Sequence, residues 1–316
     1  LVMLFAKVPV FIAVFSGSVI YFLLTPGVSI AIFAQKMIGG VESIPLLAVP
    51  FFVCASAFMN YSGVTERIYT FAGVLAGRMS GGLAQVNVLV STLMGGLSGS
   101  ALADAAMDAK MLVPQMEKQG YSKAFSSVVS SSSAIITPLI PPGIGLIVYG
   151  CVTNISIGKL FVAGFGPGFL LCAMMMVLVS RISKKRGYLP IRTRRLSSQE
   201  FIKAAKPAIL PLCLPIIIIG GVRIGLFTAT ESGAVAIAYA ILLGLIYKEL
   251  KPKHFAESLK ETAVSTATIL MIVASASVFS WVLTSEMVPQ RLAEWMIGTI
   301  HNKWVFIIAV DILLVI

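Results

Sequence analysis

Two short stretches of this chain carry residues whose types and spacing could hold an ion. The first, GGLSGSALADAAMDAKMLVP (Gly95 to Pro114), crowds three glycines and two serines into its first six residues. Each glycine costs about 1 kcal/mol in a helix interior, so the run predicts a turn. The second, SSSSAIITPLIPPGIGLIVYG (Ser130 to Gly150), carries Pro138, Pro141 and Pro142 with Gly143 and Gly145. These must interrupt a helix, because proline lacks the N–H and its ring clashes with the preceding turn. Both stretches lie in apolar surroundings, where an unpaired backbone group costs several kcal/mol unless it lines a cavity or binds something. Freed carbonyls and helix C-terminal ends suit a hard cation such as sodium, and helix N-terminal ends suit a carboxylate. The expectation is that the Ser98–Gly99–Ser100 turn meets the break from Thr137 to Gly143 and holds an ion. The alternative is that the small residues only permit close helix packing, with the prolines as inert kinks.

Polar residues beside the two breaks extend the candidate site. Asp104 and Asp108 lie four apart, on one helical face just after the turn, and intramembrane carboxylates are functional candidates. Lys110 is a possible partner for Asp108. The Ser130–Ser133 run is expected to pack against the turn, with only some hydroxyls facing a cavity. Ser133, Pro138, Gly143 and Asp104 are the candidates for lining a substrate cavity. Glu231, in FTATESGA (Phe227 to Ala234), reads as a helix cap or a partner to Arg223. Cys54, Cys151, Cys172 and Cys213 are scattered through apolar segments, without metal-ligand or disulfide spacing. His254 and His301 are far apart, so no metal other than sodium is expected. There is no P-loop, HExxH or GxSxG motif, which argues against an enzyme and puts the driving energy in an ion gradient or a partner.

The elements that must position these residues follow from hydropathy. Of 316 residues, 58% are hydrophobic and 12% charged, with a mean hydropathy of +0.96. Soluble domains average about 25% charged residues, so the lipid bilayer is the expected solvent and the fold class is an all-α polytopic membrane protein. Apolar runs near the roughly 20 residues that span a bilayer place crossings at about 8–25, 44–60, 124–150, 158–180, 207–225, 229–247, 262–284 and 303–316. The segment 64–79 is short, with Glu66, Arg67 and Arg78 at its ends, and reads as an interfacial arm helix. The stretch 83–117 reads as a re-entrant helical hairpin.

Charge tests this layout. With the basic run from Arg181 to Arg195 cytoplasmic, nineteen of the 24 Lys and Arg residues fall on the cytoplasmic side and five on the other. That is the positive-inside bias. The net charge of +11 therefore describes loops rather than a nucleic-acid surface. A weak internal repeat sets SGVTERIYTFAG (Ser62 to Gly73) against EMVPQRLAEWMIG (Glu286 to Gly298) at an offset of 224 residues. Five intervening spans would place the copies in opposite orientations, as in inverted-repeat transporters. Four segments result: 1–80, scaffold helices with the arm; 81–150, a transport half with hairpin and broken helix; 151–260, scaffold helices and the basic loop; and 261–316, the start of a second repeat. At this offset the counterpart of Gly95 to Ser100 falls just past Ile316, so a C-terminally truncated version of a longer design is expected.

The hairpin GGLSGSALAD, EKQGYSKAF (Glu117 to Phe125), TPLIPPGIGLIVYG (Thr137 to Gly150) and FTATESGAVAIAYAIL (Phe227 to Leu242) resemble the large membrane subunit of TRAP (tripartite ATP-independent periplasmic) transporters. The resemblance runs over essentially the whole chain. It implies a bacterial inner-membrane, multi-pass permease working by an elevator mechanism. A small TRAP membrane subunit would hold the scaffold, a periplasmic substrate-binding protein would deliver an organic acid, and sodium would drive uptake. It also implies a sodium site made by Ser98, Gly99 and Ser100 with carbonyls around Thr137, Ile140 and Pro142; many relatives have Gly at the position of Thr137. Two other readings stand beside it: an inactive truncated remnant of such a subunit, and a divalent-anion symporter that needs no binding protein.

Overall fold

The computed structural model describes residues 2–194, 196–300 and 302–315, and every regular element among them is helical. Three helices open the chain: α1 (Val2–Phe5), α2 (Val10–Leu24) and α3 (Ile30–Gly39). A 3-10 turn at Ile44–Leu47 leads into α4 (Ala48–Tyr61) and then α5 (Val64–Ala76). Next come α6 (Gly82–Ser98), α7 (Ala101–Met111), α8 (Val113–Lys118) and α9 (Lys123–Ser133). A 3-10 turn (Ala134–Ile136) and a non-helical stretch separate α9 from α10 (Ile144–Thr153). Long helices follow: α11 (Ile157–Arg186), α12 (Ser198–Arg223), α13 (Ala229–Ile246) and α14 (Pro252–Ser285). The series closes with α15 (Val288–Thr299) and α16 (Lys303–Val315). Among the described residues, five helical segments are long and apolar enough to cross a membrane: Ile44–Tyr61, α11, α12, α13 and α14.

The expected crossings all fall on helices, with three differences. Helix α3 forms where no element was expected; it is only ten residues long and carries Gln35 and Lys36. Helices α12 and α14 begin well before their apolar cores. In α12 the cause is a capping box, in which the Ser197 N–H donates to Glu200 Oε2 (3.1 Å). The 124–150 span is interrupted where its prolines require, as α9 and α10 with 137–143 outside any helix.

The chain divides into two compact units, residues 43–266 and residues 1–42 with 267–316. In the smaller, Phe22, Phe33, Val278 and Val282 form the core, with Trp281 stacked on Phe22 at 5.3 Å between ring centroids.

In the larger unit α4 lies against α13, whose Ser232, Ala236, Ala240 and Gly244 make a buried stripe at four-residue spacing. Small residues let two backbones approach, which is how helices associate where lipid removes the hydrophobic drive. Helix α12 contains Pro207, Pro211 and Pro215. Pro211 has no N–H for the carbonyl of Pro207, and Tyr247 Oη donates to that carbonyl instead, at 2.8 Å. The Arg67 guanidinium lies 3.7 Å above the Tyr247 ring and also donates to the Gly63 carbonyl. The arm α5 thus has a charged anchor at its start. It also has a buried stripe of Val64, Ile68, Ala72 and Ala76 at helical spacing. Gly63 before α5 and Met287 before α15 both take left-handed backbone (φ 71 and 56) at the 224-residue offset.

Candidate functional site

Helices α6 and α7 are the two arms of the hairpin, joined at Ser98–Gly99–Ser100. Gly99 closes α6 in the left-handed region (φ 60) that favours glycine. Ser100 opens α7 as its N-cap, accepting from the Ala103 N–H at 3.3 Å. Each arm therefore ends on the break: the C-terminal end of α6, with its negative partial charge, and the N-terminal end of α7, with its positive one.

The sequence expectation that turn and break come together is met by backbone-to-backbone packing. A Cβ added to Gly95 would lie 2.6 Å from Ile140 Cβ and 2.9 Å from the Thr137 carbonyl oxygen. One added to Gly99 would lie 2.5 Å from the Pro142 carbonyl oxygen. Gly143, just before α10, leaves no room for a Cβ against the Pro138 carbonyl. No described donor is bonded to the carbonyls of Thr137, Pro138, Leu139, Ile140, Pro141 or Pro142. Ser98 is 4% exposed, and its Oγ has no hydrogen-bond partner among the described residues. A buried hydroxyl beside unpaired carbonyls is an all-oxygen donor set, which fits a hard cation.

The carboxylates lie directly below the turn and are both fully buried. Thr137 Oγ1 donates to Asp104 Oδ2 at 2.8 Å, while Asp104 Oδ1 has no partner among the described residues. Tyr69 Oη, from the arm α5, donates to Asp108 Oδ1 at 2.5 Å, and Ser91 Oγ approaches Asp108 Oδ2 at 3.4 Å. The expected Asp108–Lys110 pair is not formed. Lys110 is exposed and Asp108 buried, because residues two apart on a helix do not share a face.

Ser130 and Ser133 pack against the hairpin through Asn87. Asn87 Nδ2 donates to Ser130 Oγ at 2.6 Å, and Ser133 Oγ donates to Asn87 Oδ1 at 2.7 Å. Ser131 is exposed and bonds back to its own helix. Glu231 caps α13 by accepting from the Thr228 N–H at 2.7 Å, and has no bond to Arg223. Tyr69, Asn87 and Ser91 were missed from sequence, since their partners lie 39, 43 and 17 residues away. His301 and Arg195 lie outside the described residues.

The family model for the tripartite ATP-independent periplasmic transporter, DctM component, matches residues 1–316. The chain belongs to the DctM family. This DctM chain is 41% identical over 313 residues to the sialic acid TRAP transporter large permease protein SiaM of Vibrio cholerae, which covers 99% of the chain and 73% of SiaM. It is 36% identical over 315 residues to the sialic acid TRAP transporter permease protein SiaT of Haemophilus influenzae, where it spans 51% of the relative. A C4-dicarboxylate TRAP transporter large permease protein DctM of Pseudomonas aeruginosa is 35% identical over 304 residues, 95% of the chain and 70% of that protein. This DctM chain is a polytopic inner-membrane permease subunit and not an enzyme.

Proposed function

We propose that the chain is the membrane permease subunit of a tripartite, sodium-coupled, binding-protein-dependent uptake system for a small organic acid. The substrate is of the carboxylate, sugar-acid or sialic-acid type; the names of SiaM and SiaT carry sialic acid and that of DctM a C4-dicarboxylate. One observation carries the reading. The Ser98–Gly99–Ser100 tip lies against a helix break whose carbonyls lack donors among the described residues, with Ser98 Oγ buried and likewise unpartnered among them. In this reading sodium is held by Ser98, Gly99 and Ser100 with carbonyls of Thr137, Ile140 and Pro142. The substrate carboxylate faces the helix N-termini after Ser100 and Gly143. Pro138 and Gly143 line its cavity. Asp104 offers its free Oδ1 beside it, and Ser133 supports the wall through Asn87. A small TRAP membrane subunit holds the scaffold, and a periplasmic binding protein delivers the substrate. The matching left-handed residues Gly63 and Met287 support an inverted repeat, and with it an elevator motion.

The test is uptake into proteoliposomes containing the permease, the small subunit and the binding protein, with sodium varied. Ser98→Ala is expected to raise the sodium concentration for half-maximal uptake about tenfold, equivalent to about 1.4 kcal/mol. An unchanged sodium dependence would remove Ser98 from the ion site. Undiminished uptake without the binding protein would favour an autonomous symporter instead.

A further inference from the structure

A crevice of about 440 Å³ opens between the hairpin's first arm, the break and helices α11 and α12. That is the scale of ordinary ligand sites, roughly 300–1,000 Å³. Its walls are apolar: Leu93, Ile140, Phe165, Phe169, Ile216 and Ile219. The one hydroxyl among its lining residues, on Thr92, is already used, donating to the Val88 carbonyl at 2.8 Å. Apart from Arg223, no side chain on these walls would hold a polar solute. The outer faces of the helices are equally apolar, with Ile216 71% and Phe169 56% exposed, so the crevice continues a surface suited to lipid tails.

Two further features bear on the occupant. Arg223, in the last turn of α12, stands at the crevice and is exposed, with no acidic partner among the described residues. The charge map puts this end of α12 on the external side. Its nearest acidic candidate by sequence, Glu231, is committed to the Thr228 cap. Gly220, one turn before Arg223, also lines the space, and a Cβ added there would meet nothing within 4 Å. Leucine or alanine would be the stronger helix former at such a position. Glycine there keeps the crevice wide next to the free guanidinium.

We propose that this crevice is a phospholipid site of the external leaflet, taking one acyl chain between α11 and α12 with the lipid phosphate on Arg223. A tail leaving the bilayer for such a slot exchanges one apolar environment for another. Selection therefore rests on the guanidinium and on the fit beside Gly220. The chain would touch Leu93 and Ile140, which belong to the two elements that meet at the hairpin tip, so the bound lipid would lie against the tip's supporting wall. This assignment does not depend on the sodium reading.

The probe is phosphatidylglycerol with a photoreactive diazirine on its acyl chain, doped into phosphatidylcholine nanodiscs that carry the whole chain. Cross-linked peptides are mapped by mass spectrometry. Labelling is expected to concentrate on Leu93, Ile216 and Ile219. Arg223→Gln should reduce it about fivefold, the attraction of one basic residue for an anionic headgroup, and Arg223→Lys should restore most of it. Gly220→Leu should abolish labelling in the crevice while leaving the thermal unfolding midpoint in place. Labelling spread evenly over the exposed faces of α11 and α12, indifferent to both positions, would overturn the proposal. So would protection of the crevice by the small membrane subunit in an assembled complex, which would make it a protein interface.

Discussion

Within the larger unit, the α4–α13 pair and the hairpin–break region both bring backbone close to backbone, with opposite materials. Along α13 the close approach is seen at Gly233, against Phe51, beside the buried stripe of Ser232, Ala236, Ala240 and Gly244, whose one hydroxyl is satisfied by its own helix through the Ala229 carbonyl. At the hairpin the same closeness surrounds two buried carboxylates and, among the described residues, an unpartnered serine hydroxyl and six carbonyls without donors. Tight packing in lipid needs only small residues. Polar groups held buried at a cost, beside packing that could have been apolar, are what the proposed ion site rests on.

The strongest way to break this contrast is to add one methyl group on each side. Gly99→Ala meets the Pro142 carbonyl and must keep a left-handed backbone, at about 1–2 kcal/mol for the conformation and about 1–3 kcal/mol for overpacking. Gly233→Ala meets Phe51 Cβ, placed 2.6 Å from the added carbon, and carries only the overpacking cost of about 1–3 kcal/mol. Unfolding midpoints of the purified protein, with and without sodium, should show both variants destabilised and only Gly99→Ala losing the sodium-dependent rise. Equal sodium responses would end the functional distinction.

A finer test compares two tyrosines that each donate one bond. Tyr69→Phe leaves an oxygen of the fully buried Asp108 carboxyl without its donor, at about 1–3 kcal/mol for an unsatisfied buried group. Tyr247→Phe leaves the Pro207 carbonyl without its donor, at about 0.5–1.5 kcal/mol for a neutral bond. Denaturant unfolding in mild detergent should rank them in that order; the reverse would mean that the proline-freed carbonyl matters more than the carboxylate.

The smallest effect is expected away from both regions, at the start of α12. The Ser197 N–H, and then Arg194 and Arg192, hold the Glu200 carboxyl below its ordinary pKa range. A depressed folded pKa means the cap's contribution is fully present above the unfolded value and is lost as pH falls through the folded one. Amide exchange at the α12 N-terminus should therefore accelerate only at acid pH, below the ordinary glutamate range. In Glu200→Gln this acid-dependent acceleration should disappear.

Much of this was legible in the sequence because membrane helices and their breaks are written locally. Apolar runs of near-spanning length located the crossings, and GGLSGS and TPLIPPG marked the turn and the break, since glycine and proline act on their own backbone. Glu231 was legible as a cap because its partner is three residues away. The network beneath the turn was not, because Tyr69 reaches Asp108 and Ser133 reaches Asn87 only after the arm and α9 have packed on the hairpin. Extents were misjudged for a related reason: hydropathy sees only the apolar part of α12 and α14, while caps and charged turns carry both helices further, toward Ser198 and Pro252.

The contact between hairpin tip and break is made almost wholly of main chain. Its shape is therefore specified by what the side chains lack: a carbon at Gly95 and Gly99, an N–H at Pro141 and Pro142. Such a site has an unusual mutational profile. Apolar replacements around it are absorbed as volume changes, while the addition of a single atom at its centre is not, whatever the chemistry of that atom. Intolerance therefore gathers at Gly95, Gly96 and Gly99, where an added carbon would lie 2.6, 2.4 and 2.5 Å from its nearest neighbour.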